Sequence, residues 1–211
     1  MFQVNDLGLI SYFEAYTLQK EAVEKILQGN PEVLFLCEHP PVITLGRLAK
    51  EENLLFTKEE IKRRAIEVVS IDRGGDVTLH APGQIVAYPI FNLSRHGKDL
   101  HLFLHKLEQV AIDLLGDFGI VANRISGRTG VWVGDKKIAS IGIGVRKWVS
   151  FHGLALNVNT DLKLFSAIKP CGLDAVMTSM AELQRQTIKM GQVKKRLIDC
   201  FGRNFDTGQQ K

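Results

Sequence analysis

Cysteine is scarce in this chain: three thiols in 211 residues, with no regular spacing and no Cys-x-x-Cys pair. That excludes a disulfide framework, offers no thiolate metal site, and fits a reducing cytoplasm. No apolar run approaches the ~20 residues of a membrane span. The first residues, MFQVNDLGLISYFEAY, carry no basic stretch leading into an apolar one. No membrane association is expected. Dense basic patches with interleaved aromatics are also missing; the small clusters are KRR at 62–64 and KKR at 194–196. Nucleic acid is therefore not the expected partner. The net charge of +4 is spread along the chain, which suits encounter with an acidic protein. Six prolines and nineteen glycines are scattered rather than gathered into a linker, and no segment repeats. With 45% hydrophobic residues the chain reads as a single globular domain, residues 1–211.

Apolar periodicity predicts a helix over 18–27 ending at Gly29, and a long one over 99–115. The stripe of the second is Leu100, Phe103, Leu104, Leu107, Val110, Ala111 and Leu114. Between them, Thr57 and Glu60 form a capping box that opens a further helix. Strands are predicted over 33–37, 42–45, the β-branched EVVSIDRGG segment, 76–80, 84–90, 130–133, 137–145 and 148–158. Those at 130–133 and 137–145 form a hairpin on a Gly-Asp turn. From Thr178 onward the chain reads as helical, with a break at Gly191. Strand-rich blocks without regular βαβ alternation predict an α+β fold, a mixed or antiparallel sheet flanked by helices.

Four segments carry residues suited to chemistry. In RGGDVTLHAPGQ, 73–84, Gly74 and Gly75 let backbone approach a ligand closely, with the Arg73 fork beside them. On spacing alone a hairpin with turn glycines and a solvated arginine explains it equally well. In GDKKIASIGIG, 134–144, strand alternation turns one of Lys136 and Lys137 outward and the other inward. An inward lysine in a partly dry pocket can serve as a base or hold a carboxylate. In FHGLALNVN, 151–159, His152 is either a catalytic group or a satisfied structural one, and Asn157 and Asn159 share a face. In IKPCGL, 168–173, Pro170 and Gly172 hold Cys171 in a loop, where a thiol can be exposed and reactive. Cys37 in VLFLC and Cys200 in LIDCF have the pattern of core residues.

Taken in order, EHPPVITLGR, RGGDVTLHAPGQ, GDKKIASIG, FHGLALNVNTDL and IKPCGL resemble the signature blocks of the lipoyl(octanoyl) transferases of lipoate biosynthesis. The resemblance implies the fold of the biotin and lipoate ligases. It implies transfer of an octanoyl (or lipoyl) group from acyl carrier protein to a lysine of a lipoyl domain. The acceptors would be the lipoyl domains of 2-oxoacid dehydrogenases and the glycine cleavage H protein. Carried over, Cys171 is the acyl-accepting nucleophile and Lys137 the paired base. Substrate would be held by Arg73, Gly74, Gly75, Asp76, Val77, Thr78, Leu79 and His80, by Ser140, Ile141 and Gly142, and by Gly153, Leu154 and Ala155. The family implies no cofactor and no metal, and the protein is expected to act as a monomer.

A thioester donor and an amine acceptor need a carrier that is first a nucleophile and then a leaving group, and thiolate is both. The small residues from Ser140 to Gly144 leave room for an eight-carbon chain. The tetrahedral oxyanion calls for donors, for which the amides at Gly172 or Gly74 and Gly75 are candidates. An ATP-dependent lipoate or biotin ligase is the main alternative. It shares the fold and a reactive lysine, makes an acyl-adenylate and needs no cysteine. A Cys171–His152–Asn157 hydrolase has the wrong residue order for the papain-like family, and a non-catalytic binder of acylated carriers would need none of this chemistry.

Overall fold

A computed structural model describes residues 2–169 and 175–205. The chain begins with an edge strand, β1 (Gln3–Leu9), and helix α1 (Tyr12–Leu27). Next come β2 (Val33–Glu38), β3 (Val42–Leu45), helix α2 (Lys58–Arg63), β4 (Glu67–Ser70), β5 (Val77–His80) and β6 (Gln84–Ile90). The long helix α3 (Leu100–Asp117) is followed by β7 (Asn123–Ile125), β8 (Arg128–Val133), β9 (Lys136–Arg146) and β10 (Val149–Asn157). Two helices, α4 (Met180–Gln184) and α5 (Met190–Phe205), complete the described chain.

Seven strands form the main sheet in the order β1-β2-β6-β10-β9-β8-β7, parallel between β1 and β2 and antiparallel elsewhere. A second sheet, β4-β3-β5, is parallel on one side of β3 and antiparallel on the other. The α+β class with a mixed sheet flanked by helices is thus the observed architecture. Helices α3 and α5 cover one face of the main sheet. Phe103, Leu107, Val110 and Leu114 of α3 meet Leu34, Ile85, Leu154 and Leu156 there, all at most 1% exposed. Each such side chain contributes roughly 1.5–3 kcal/mol on burial. Helix α1 covers part of the other face, through Ala15, Ala22, Val23 and Ile26. The small sheet lies over the rest through Thr78 and His80 of β5, while Ile43, Val77 and Leu79 pack on its far side against Phe165 and Ile168. The gap between α1 and the small sheet is where the site lies. No helix among the described residues is long and apolar enough to cross a membrane.

Four elements depart from the periodicity reading, one of them the unpredicted three-residue β7, whose pairing with β8 is irregular. β1 was not predicted, because its side chains do not alternate between buried and exposed; only its pairing with β2 makes it a strand. Helix α1 starts at Tyr12, six residues before the predicted 18. Ser11 caps it by accepting from the Glu14 amide, and its hydroxyl donates to the Glu14 carboxylate. The exposed Phe13 in that first turn hides the amphipathic stripe. The C-terminal break falls at Arg185, which ends α4 in a left-handed conformation (φ 54°), and not at Gly191, the second residue of α5.

Candidate active site

The Arg-Gly-Gly segment crosses the open face of β9. The Gly74 amide donates to the Ile143 carbonyl at 2.8 Å. A Cβ on Gly142 would come within 3.0 Å of the Gly74 carbonyl oxygen and 3.2 Å of Arg73 Cδ, so the crossing needs glycine in the strand beneath it. The Arg73 guanidinium is drawn the other way, donating to the Thr44 carbonyl at 2.7 Å, the Thr44 hydroxyl and the Gly74 carbonyl. Gly74's amide is thereby engaged, which removes it from the candidate oxyanion donors.

Beneath this crossing lies a narrow, partly open and mostly apolar cavity. Arg73, Gly75, Thr78 and His80 line it from above. Ser140, Ile141, Gly142, Gly153, Leu154 and Ala155 line it from the sheet. The cavity adjoins a wider cleft, which Gly74, Gly75, Asp76, Ile141, Gly142 and Lys169 help to line. Asp76 faces that cleft and braces its wall: its carboxylate accepts from Asn53 Nδ2 and from the Lys50 amide. Val77 and Leu79 are 0% exposed and pack on the far side of the small sheet, so by strand alternation only Thr78 and His80 of β5 reach the cavity.

Lys137 does not line the narrow cavity but is 1% exposed beside it. A bulge explains its orientation. Val131 pairs with Ala139 while Trp132 pairs with Lys137, leaving Ile138 as the extra residue. Ile138 and Ala139 both enter the core under α3, and Lys137 consequently shares the opposite face with Ser140. Its Nζ lies 5.5 Å from the Trp132 ring centroid. Its aliphatic end runs across Gly130, where a Cβ would sit 2.7 Å from Lys137 Cε and 2.6 Å from the Ala139 carbonyl oxygen. The Gly130 amide donates at 3.1 Å to Glu108 of α3, a 5%-exposed carboxylate that also accepts from Arg124 Nε at 2.9 Å.

Cys171 lies outside the described residues, but the chain on both sides of it is fastened to the site. Before it, the Lys169 amide donates to the Asn53 carbonyl at 2.8 Å. After it, the Lys137 amide donates to the Val176 carbonyl and the Thr178 amide to the Lys137 carbonyl, at 2.8 and 2.9 Å. A chain of side-chain amides extends this anchorage. Asn157 Nδ2 donates to the Thr178 carbonyl, Gln84 Nε2 to Asn157 Oδ1, and His80 Nδ1 to Gln84 Oε1 at 2.7 Å. The RGG-Thr-x-His block, Lys137 and the segment after Cys171 are thus parts of one hydrogen-bonded unit.

Behind the cavity lies a cluster of buried rings. Tyr12 donates to His152 Nδ1 at 3.2 Å, and His152 Nε2 donates to Asp72 at 2.9 Å. Tyr16 and Lys20 also donate to Asp72, whose carboxyl these partners hold well below its usual range despite the opposing effect of burial. Tyr88 donates to His39 Nε2 at 2.8 Å, and His39 Nδ1 to the Ile10 carbonyl at 2.7 Å. Burial pushes His80 down to about 3 and lowers His39 and His152 as well, the last against the pull of Asp72. All three are neutral in the fold near pH 7.

Stability should follow from that. Above the ordinary histidine value of about 6.5, folded and unfolded chains bind the same number of imidazole protons. Below it the unfolded chain takes up protons that these three rings refuse, so stability falls as pH falls toward their folded values. Denaturant midpoints measured from pH 7.5 to 5 should therefore decline below pH 6.5, and His152→Gln should make the decline shallower. Midpoints flat across that range would show that the rings protonate in place.

Sequence reading missed Tyr12, Val86, Tyr88, Glu108 and Gly130. The signal for Glu108 was present, a carboxylate beside the apolar stripe of α3; the others depend on cross-strand register. The model of the lipoyl protein ligase A/B catalytic domain matches residues 11–202. The octanoyltransferase of Syntrophotalea carbinolica is 50% identical over 201 residues, 94% of this chain and 92% of that one. In fold the chain is similar to the bi-partite lipoate protein ligase of Thermoplasma acidophilum, at TM-score 0.74 and 18% identity over 96% of this chain and 83% of that one. It is also similar to the biotin protein ligase of Aquifex aeolicus, at TM-score 0.60 and 13% identity over 100% and 73%. The chain belongs to the octanoyltransferase family, built on the catalytic domain of the lipoyl protein ligases.

Proposed function

We propose that this protein moves an octanoyl group from the thioester of acyl carrier protein to a lysine amine of a lipoyl domain, in two steps through Cys171. In the first, the Cys171 thiolate attacks the thioester carbonyl. A new carbon–sulfur bond forms, the bond to the carrier's thiol breaks, and that thiol leaves with the proton Lys137 took from Cys171. In the second, the acceptor lysine attacks the Cys171 thioester. An amide forms, the amine's proton passes to Lys137, and Cys171 leaves as thiolate beside the resulting ammonium. The acyl chain occupies the narrow cavity, and the wider cleft admits each carrier in turn. The acceptors are lipoyl domains of 2-oxoacid dehydrogenases and the glycine cleavage H protein, and the enzyme works as a monomer without a cofactor.

The observation that carries this reading is the fastening of the chain on both sides of Cys171, at Asn53 and at Lys137 itself, beside a narrow, largely apolar cavity. It is supported by the naming of curated relatives at 44–50% identity as octanoyltransferases. Mixing the protein with octanoyl-acyl carrier protein, without ATP, and recording its intact mass tests it. The expected product is a single octanoyl adduct that hydroxylamine removes and that a lipoyl domain discharges. No adduct without ATP, with transfer from free octanoate when ATP is present, would assign the ligase reaction instead.

A further inference from the structure

The narrow cavity and the wider cleft share Gly75, Ile141 and Gly142, so the cavity opens at β9. From there it crosses the sheet. Ser140 of β9 pairs with Ala155 of β10, and Ala155 with Val86 of β6. Two strand spacings from the mouth, about 10 Å, it ends against Val86 and Tyr88 of β6 and Tyr12 of α1. A fully extended chain advances roughly 1.2 Å per bond, since three backbone bonds span one residue, so the seven carbon–carbon bonds of an octanoyl group reach about 8 Å. The depth of the cavity and the length of the chain agree to within about two bonds.

The end wall is held from behind. The Tyr12 hydroxyl is engaged by His152, which is tied to Asp72; the Tyr88 hydroxyl is engaged by His39, which is tied to the Ile10 carbonyl. Tyr12 is 2% and Tyr88 3% exposed, and Tyr12 stacks on His80 with ring centroids 6.0 Å apart. With both hydroxyls engaged, ring carbon is left to face the chain. Neither ring can swing aside without breaking a buried hydrogen bond. A wall that does not yield gives a sharp length limit, whereas a wall of free Leu or Met side chains would adapt.

We propose that Tyr12 and Tyr88, with Val86 between them, are the residues that set acyl-chain length, and that their hydrogen bonds to His152 and His39 make the limit rigid. This rests on the reading that an acyl chain enters the cavity. The test is a competition. Hexanoyl-, octanoyl-, decanoyl- and dodecanoyl-acyl carrier protein are supplied in equal amounts, and the adducts on the protein are read by intact mass. Wild type should load octanoyl in preference to the longer chains. Tyr88→Ala should raise the decanoyl-to-octanoyl ratio at least ~10-fold, as expected for one or two methylenes gaining room. Val86→Ala, a smaller cut that keeps both hydrogen bonds, should raise it by less and decides the matter if Tyr88→Ala does not fold. A wild type that loads octanoyl while the folded variants keep its distribution overturns the ruler alone. A wild type that loads none of the four chains overturns the acyl-transfer reading and the ruler together.

Discussion

Cys171→Ala is expected to abolish the octanoyl adduct and to slow overall transfer by at least ~10³-fold, as loss of a nucleophile does. Cys171→Ser should be nearly as inactive, because a hydroxyl is far less ionised than a thiol and a poorer leaving group in the second step. Binding of the acylated carrier should change little, since described residues elsewhere supply the lining, from β5, β6, β9 and β10 for the cavity and from 48–53, 74–76, 126–129 and β9 for the cleft. The informative measurement is therefore paired: adduct mass for the first half-reaction, and carrier affinity by titration. Loss of both together would make the 170–174 segment part of the docking surface rather than the site of a covalent step. An adduct that survives Cys171→Ala would place the acyl group elsewhere. The buried Cys37, pushed well above the ordinary thiol range by burial, is no substitute.

The sequence disclosed most where one side-chain pattern sufficed. The stripe of α3, the Thr57–Glu60 capping box, the β8–β9 hairpin and the apolar runs of β2 and β6 are local, and the structure shows each of them. The glycine and small-residue blocks at 73–75 and 140–142 could be marked because close backbone approach needs them, the block at 153–155 only through the family resemblance, and the three do meet around one cavity. What local pattern could not show was which residues face each other. Tyr12 and His152 are 140 positions apart and Gly130 and Glu108 are 22 apart; neither pair leaves a periodic trace. Strict alternation would also have put Lys137 and Ser140 on opposite faces. The extra residue at Ile138 reverses that, and a bulge between two ordinary hydrophobic positions has no composition of its own. The eight-residue run from Arg73 to His80 divides for the same reason: alternation in β5 sends Val77 and Leu79 to the core, and the turn before it gives Asp76 to Asn53.

Lys137→Met, which keeps the length and most of the apolar volume of the side chain, is expected to lower the rate of both half-reactions by ~10²–10⁴-fold, the usual effect of removing a general base. The acylated carrier should still bind, so the loss falls on kcat more than on KM. Lys137→Arg should not restore activity, because a guanidinium can stabilise a thiolate but cannot give up a proton. If it does restore the first half-reaction alone, Lys137 acts there as a fixed cation and as a base only in the second. Gly130→Ala supplies a second, geometric test that leaves the amine in place. Its methyl would meet Lys137 Cε at 2.7 Å and the Ala139 carbonyl oxygen at 2.6 Å, in a backbone conformation (φ 124°) that alanine rarely adopts. Either the side chain of Lys137 or the β8–β9 pairing has to shift, and a displacement of about 1 Å at a catalytic group costs ~10²-fold. Quenched-flow measurement of thioester formation and of its discharge to a lipoyl domain, on wild type, Lys137→Met and Gly130→Ala, separates these effects. Wild-type rates in Lys137→Met would remove Lys137 from the mechanism. A rate loss in Lys137→Met with none in Gly130→Ala would show that the amine reaches the reacting sulfur by a path that does not cross Gly130.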